Sequence, residues 1–552
     1  MKNLSNVKIN KKAAIITGCA CATGLALYGA YKFFENIDDV DPSRVKYPKV
    51  TSLTQLDKRI QNLATQYEKD AAQLLRELIS FPEDHLQADP LCGTSNHEKL
   101  RLEFLRQRII DLGAVLNKSD VNFDDFGNLV WHVSDPQDPV PLNDRKVIYL
   151  DARSDTVPAQ NDQWHTRLGS GIDAFQGMVD PATVNDDALR AELGFVPPRD
   201  RWQNVIFGRG SADQLQGIVS AVFATKILLE TINLESLKGC VIIAIASVSG
   251  SENAGGSIFN RFNRQTLSQW QVPDCVILLQ STGDVDIGPC GIYIGQQGRC
   301  QIEVEVVGCT AQNGLNALEY GSLIIAEAEN QAKKCFKKSK FMGYGTRTVI
   351  STKNEVSNDP NIPSRFTFRF DRRTTHGELW NELIKEIQLL KTVKRARDDG
   401  MQVNITIPRY RSKSWKGVIA DNDLVYQSWL TPPENPVVMT AVEAYKRVVS
   451  PNLDLPKRLT NEEIPKIPRI SRWISSSDGV GYLMPKDQYR FKIEKKNWIS
   501  NGQSIFPPIF GIGAGYEQHS GKLGEYVSKE HLWVPISVAA RFPSLFAQQE
   551  KV

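Results

Sequence analysis

The chain has 552 residues, 41% of them hydrophobic and 23% charged, with a net charge of +3. That length exceeds one ordinary domain and supplies ample core-forming material, while so small a charge without a basic block argues against a nucleic-acid partner. The nine cysteines include no CxxC pair and are irregularly spaced, which excludes a zinc ribbon and a disulfide framework.

Residues Met1 to Lys12 carry Lys2, Lys8, Lys11 and Lys12 and no acid, and AAIITGCACATGLALYGAY then runs from Ala13 to Tyr31 without a charge. At about 1.5 Å per residue this nearly matches a hydrocarbon slab of about 30 Å, so residues 1–35 are expected to form a transmembrane anchor. Gly18, Ala22 and Gly29 would let another helix approach closely. The lysine bias places the N-terminus on the cytoplasmic or matrix side. A mitochondrial inner membrane fits, as does a bacterial inner membrane with a periplasmic domain. A cleaved secretory signal and a mitochondrial import segment are the competing readings.

Beyond the anchor, amphipathic helices are expected over Thr54–Phe81 and Asn96–Gly113, and strands at NLVWHV, KVIYLD, CVIIAIASV and DCVILLQ, with a helix from Ala212 to Glu230. This alternation predicts an α/β fold with a mostly parallel sheet. From Gly298 the order becomes strand (QIEVEVVG), helix (Leu315–Lys337), two strands (TVISTKNEV and RFTFRFDRR), helix (His376–Leu390) and strand (MQVNITIP). That is a split-βαβ, ferredoxin-like domain inserted over 299–425 into a larger domain of 50–298 and 430–552. The chain returns through a helix at Val437–Val449 and the strand-like PPIFGIGA, with a Pro- and Lys-rich loop insertion from Leu453 to Pro468.

The tip of KVIYLD continues as DARSDTVP, and polar residues at the C-terminal end of a buried strand are where α/β proteins place their chemistry. Together, YLDARSDTVP, NVIFGRGSADQLQGIVSA and the inserted domain resemble the zinc-dependent exopeptidase family of acetylornithine deacetylase, succinyl-diaminopimelate desuccinylase, aminoacylase and carboxypeptidase G. GQQGRCQIEVEVVG, FDRRTTHGELW and RYRSKSWKG are most similar to the dipeptidase-like hydrolases of selenium-metabolism gene clusters. The resemblance covers about Leu75 to Phe546. It implies a site for two zinc ions that polarise an amide carbonyl and generate hydroxide near neutral pH, and an inserted domain that acts as a lid and dimerises.

Set against the family's motifs, the site is incomplete. Arg153 stands where the first histidine ligand belongs, and a guanidinium has no lone pair to donate. Asp155 matches the orienting aspartate, and Asp213 the carboxylate that bridges both metals. Where the family has a Glu-Glu pair, ASVSGSENAGGS offers only Glu252, as base, ligand or neither. Gln280 replaces a carboxylate ligand, Gln312 replaces the lid histidine that stabilises the oxyanion, and His519 retains the last ligand position. One zinc held by Asp213, His519 and Glu252 stays conceivable, but Glu252 cannot then also be the base. His85, His97, His132, His165, His376 and His531 match no ligand position. Glycines at 208 and 210 are expected to serve the backbone on its approach to Asp213.

Buried carboxylates without a compensating charge are costly, so Arg153 is expected to pair with Asp213 or Asp155 where zinc would otherwise sit. The leading expectation is a membrane-anchored, catalytically inactive homologue without cofactor. It would serve as a structural or assembly subunit among other membrane-complex subunits, and could form a homodimer through the inserted domain. The alternatives are an active single-zinc amidohydrolase or dipeptidase, and a non-catalytic binder of peptides or acylated amino acids using Arg153 or Arg372.

Overall fold

A computed structural model describes residues 40–82, 98–248, 258–308, 315–336, 338–356, 363–411, 413–419, 421–452, 463–485, 495–500 and 504–548. In chain order the elements that build the site begin with helices α1 (Gln55–Gln66), α2 (Glu68–Ile79) and α3 (Lys99–Asp111). Strands β1 (Val121–Phe123), β2 (Leu129–Ser134), β3 (Lys146–Arg153) and β4 (Val205–Phe207) follow. Next come α4 (Gln216–Glu230), β5 (Cys240–Ser247), α5 (Ile258–Asn263), β6 (Cys275–Leu278) and β7 (Ile292–Gln296).

The inserted region comprises β8 (Gly298–Val307), α6 (Ala317–Cys335), β9 (Thr346–Val356), β10 (Pro363–Thr374), α7 (Trp380–Gln388), α8 (Lys391–Asp398) and β11 (Gln402–Thr406). The return consists of β12 (Trp429–Leu430), α9 (Pro436–Val448), β13 (Ile470–Trp473), β14 (Ile509–Gly511), β15 (Tyr526–Ser528) and α10 (Lys529–Ala547).

The main sheet runs β1-β2-β5-β3-β6-β14-β7-β12, with β13 also paired to β7. It corrects the expected mostly parallel sheet. The pairs β3–β5, β3–β6, β6–β14 and β7–β13 are parallel, whereas β1–β2, β2–β5, β7–β14 and β7–β12 are antiparallel. The cause is local at one edge: Asp124 accepts from the backbone amides of Gly127 and Asn128, closing a tight turn that forces β1 and β2 to run opposite ways. At the centre β3 is parallel to both its neighbours, the arrangement that gathers strand ends on one side.

In the inserted region β9-β10-β8-β11 form an antiparallel sheet, with α6 and α8 packed through Ile324, Ala328, Val393 and Ala396 onto Ile302, Val304, Phe368 and Phe370. Every side chain of β5 is buried, and α4, which lies against β3 and β5, is buried around nearly its whole circumference, as a helix between a sheet and outer helices must be. Gly217 makes that approach possible, because a Cβ there would run into the Leu279 carbonyl. The single helix expected over Thr54–Phe81 is instead two, divided at Tyr67.

The expected membrane attachment is also corrected. Among the described residues no helix is long and apolar enough to cross a membrane. The proposed anchor of residues 1–35 lies outside the described residues. The transmembrane helix, the membrane-complex role and partners, and the inner-membrane location that rested on it are therefore not carried forward.

Candidate functional site

Strand β3 lies between β5 and β6, parallel to both, so its C-terminal tip opens at the centre of the sheet. Asp151 and Arg153 end this strand, and Ser154 and Asp155 follow at once, all buried. Arg101 on α3 braces the turn by donating to the carbonyls of Ser154 (2.9 Å), Leu78 (3.0 Å) and Phe81 (2.9 Å). Asp213 arrives from the turn between β4 and α4. Gly210 there has φ +85°, and a Cβ on it would lie 2.8 Å from Thr156, so the expected backbone role of this glycine is observed.

Arg153 is the hub. Its Nη2 donates to Asp213 Oδ1 at 2.6 Å, and its Nε lies 3.6 Å from Asp478 Oδ2. Asp478 follows β13 and is fully buried. The Gln280 side-chain amide donates to Asp478 Oδ2, and the Asp478 backbone amide donates to Gln280 Oε1 at 3.4 Å. Tyr482 donates its hydroxyl to Asp151 Oδ2. Burial by itself would lower the Arg153 pKa, but the fields of Asp478, Asp213 and Asp155 more than offset it and hold the guanidinium firmly charged. Burial also drives the Asp478 carboxyl well above the ordinary carboxylate range; Arg153 opposes the rise, while Asp151, Asp155 and Asp213 add to it. One arginine thus faces three buried carboxyl groups, those of Asp478, Asp213 and Asp155, and burial shifts the Asp478 carboxyl toward its protonated form.

A second buried pair holds the Asp213 turn. Glu525 Oε1 accepts from Arg209 Nη1 and from the Gly210 amide, both at 2.7 Å, while Oε2 accepts from the Asp213 amide at 3.0 Å. Burial outweighs the Arg209 charge and raises the Glu525 pKa to about 7. His519 is fully buried among the rings of Tyr516, Tyr526 and Phe195, with centroids 5.1, 4.9 and 5.5 Å away. Burial, helped by Lys522, pushes its imidazole down to about 3, so it is neutral across the ordinary pH range. The turn after His519 reaches the site, since a Cβ on Gly521 would lie 3.7 Å from Asp213 Oδ2.

Arg153, Asp155 and Asp213 are therefore gathered together, Gln280 joins them through Asp478, and His519 lies on the adjoining turn. Glu252 and Gln312 fall outside the described residues. Arg372, the other arginine considered for a carboxylate, is engaged elsewhere: it pairs with Glu378 at 2.6 Å and Glu386 at 3.0 Å inside the inserted region. Sequence reasoning missed Asp478, Tyr482, Arg209 and Glu525. A signal existed for two of them, a single acid in the uncharged stretch SSSDGVGYLMP and an arginine between two glycines in FGRGS.

These residues do not fit a pair of zinc ions. Zinc needs lone-pair donors converging from several side chains. Here a guanidinium holds Asp213 and an amide N–H holds Asp478, and among the described residues no three His, Cys, Asp or Glu side chains group to hold a metal.

No protein-family model matches the chain. Among solved structures it is similar to an M20-family metallo-carboxypeptidase from Sulfolobus solfataricus, with a TM-score of 0.54 and 13% identity over 87% of this chain and 99% of that one. Human carnosine dipeptidase 1 gives 0.53 and 12%, covering 90% of this chain and 100% of that one. The fold is that of the M20-family metallopeptidases. Among curated proteins, the chain is 21% identical over 492 residues to the uncharacterized protein YgeY of Escherichia coli (strain K12), covering 88% of this chain and 96% of that protein. None of these likenesses bears on the narrower one to dipeptidases of selenium-metabolism clusters. On the M20 fold, the Arg153 network occupies the end of the central parallel strands.

Proposed function

We propose that this chain is a non-catalytic binder of peptides or acylated amino acids, built on the M20 fold with an arginine in the place of the metal ligands. The ion pair between Arg153 and Asp213 carries the reading. A carboxylate engaged by a buried guanidinium is a poor metal ligand, because the cation would have to be displaced first and left without its partner. Gln280 supports the same reading: its neutral amide serves Asp478 as a donor, a role no carboxylate in that position could play at neutral pH.

One observation favours a second reading, a single-zinc amidohydrolase. His519 is kept neutral at the turn that approaches Asp213, the protonation state a metal ligand requires. Elemental analysis of the purified full chain, with an assay of dipeptide and N-acyl amino acid hydrolysis, separates the two. The expected result is zinc well below one equivalent and no turnover. One equivalent of zinc, lost in Asp213→Ala together with hydrolysis, would replace the first reading with the second.

A further inference from the structure

A cavity of about 630 Å³ lies between the end of α2, the stretch around Met178 and the turn Arg199–Asn204, with Val205 of β4 in its wall. It shares no residue with the Arg153 network. Arg76, in the last turn of α2, lines it without a counter-charge. Its Nε is buried and has no hydrogen-bond partner, and among the described residues Arg76 joins no ion pair. The stem of this arginine is held in place. Gly177 has φ +67°, and a Cβ on it would lie 3.0 Å from Arg76 Cγ, so the chain runs directly against the side chain. Gly177 in turn bridges to Phe207 of β4. Burial, with nothing to offset it, lowers the Arg76 pKa, so a carboxylate set against the guanidinium would relieve an existing cost.

The other arginine in the wall is already committed. Arg199 pairs with Asp186 at 2.7 Å, donates to the Pro181 carbonyl and lies over the Trp202 ring, 5.4 Å from its centroid. Trp202 is itself fixed, its indole donating to the Pro197 carbonyl at 2.8 Å. The two acids of the lining differ in the same way. Asp180 caps the turn that follows it, accepting from the Ala182 amide at 3.0 Å. Asp200 is exposed and joins no ion pair among the described residues. The cavity therefore offers one uncommitted cation and one uncommitted carboxylate, with apolar lining from Met178, 57% exposed, and Trp202. A simple anion would be opposed by the acids and a simple cation by Arg76. A molecule that carries both charges suits both.

We propose that this cavity binds a short peptide with free termini, its carboxylate held by Arg76, its ammonium by Asp200 and its side chain against Met178 and Trp202. A guanidinium matches a carboxylate through parallel N–H donors, and a cavity of this size takes a dipeptide. The inference rests on the reading of the chain as a binder. It narrows that reading from peptides or acylated amino acids to peptides whose amino group is unblocked.

Calorimetric titration of the full chain with L-alanyl-L-phenylalanine, its C-terminal amide and its N-acetyl derivative tests it. The free dipeptide should bind with one-to-one stoichiometry. Amidation should weaken it by about tenfold or more, the size of a lost charge-assisted hydrogen bond, and acetylation by about threefold, because Asp200 is exposed. Arg76→Gln should bring the dipeptide to the affinity of its amide, and Asp200→Asn should abolish the effect of acetylation. Equal affinity for dipeptide and amide, equal affinity for dipeptide and acetylated dipeptide, an unchanged Kd in Arg76→Gln, or no heat at millimolar dipeptide would each overturn the proposal. If Arg76→Gln melts early, Asp200→Asn, a change at an exposed side chain, still decides it. Binding that survives unchanged in Arg76→Gln refutes this site and leaves the binder reading standing, whereas zinc with turnover refutes that reading whatever Arg76→Gln does.

Discussion

Arg153 shows how one residue decides the character of a cleft. Three carboxyl groups, on Asp155, Asp213 and Asp478, are buried around it, and among the described residues Arg153 is the cation paired with Asp213. Removing the guanidinium while keeping its volume, as in Arg153→Met, leaves those carboxylates uncompensated and is expected to cost about 3–5 kcal/mol. Urea unfolding at neutral pH measures this, and Arg153→Lys should restore part of the loss because the charge returns without the planar fork. A loss below 1 kcal/mol in Arg153→Met would show that the carboxyl groups are protonated already and need no partner. Restoring the family's histidine through Arg153→His should give no hydrolysis, since Gln280 still donates to Asp478 where a carboxylate ligand would stand. At this scale the sequence was informative about which residue types occupy the site. It was silent on Asp478, because an acid two hundred residues further along finds Gln280 only when β13 and β6 lie in one sheet.

Helices α1 and α10 illustrate the same point for elements. Thr54 and Asp57 form a reciprocal cap at the start of α1, with Thr54 N to Asp57 Oδ2 at 2.7 Å and Asp57 N to Thr54 Oγ1 at 3.1 Å. Asp57 then reaches outward, accepting from Arg541 of α10 and, at 3.2 Å, from Arg447 of α9, so one cap ties three helices together. Burial alone would raise its pKa, but pairing with Arg541 and the Thr54 hydrogen bonds outweigh this and hold it below the ordinary value of 3.8. Asp57→Asn should therefore destabilise the protein by about 3 kcal/mol at neutral pH, leaving Arg541 buried without its counter-charge. Because the folded pKa is the lower one, this contribution is complete above 3.8 and fades as pH falls through the folded value. The stability gap between the two proteins, followed by chemical denaturation, should be constant from pH 7 to 5 and close at more acid pH. A gap that widened on acidification would contradict the pairing. Helix α10 has no counterpart in the sequence reading: Pro535 and Pro543 sit inside it, each a strong helix breaker in isolation. Burial of nearly its entire length against α9, α4 and α1 outweighs that penalty.

For the whole molecule, the proposed replacement of metal by the Arg153 network has a measurable consequence. A hydrolase of this fold that depends on bound metal is stabilised by it through mass action. If the Arg153 network replaces the metal, then 1 mM chelator should leave Tm unchanged, and added zinc should not raise it. A fall of several degrees on chelation would mean that a cation stabilises the native state and would sink the proposed binder. In the inserted region strand and helix periodicity made the strands and the first helix legible, whereas two helices, α7 and α8, stand where one was expected over His376–Leu390. The main sheet was less so: alternating helices and strands suggest parallel pairing, and nothing local in β7, β12 or β14 reveals that they pair antiparallel after a long excursion.

By itself the sequence determined the chemistry available at the ends of β3 and β6, an arginine and a glutamine where the resemblance expects metal ligands, because side-chain donors are fixed by residue type. It determined most elements as well, since apolar periodicity is a local property. Only the tertiary structure decided that Arg153 meets both Asp213 and Asp478, and that Glu525 clamps the Asp213 turn. Each of those outcomes couples strands and turns far apart in the chain, and the energy that selects among such pairings comes from burial and charge compensation, which exist only once the elements are packed.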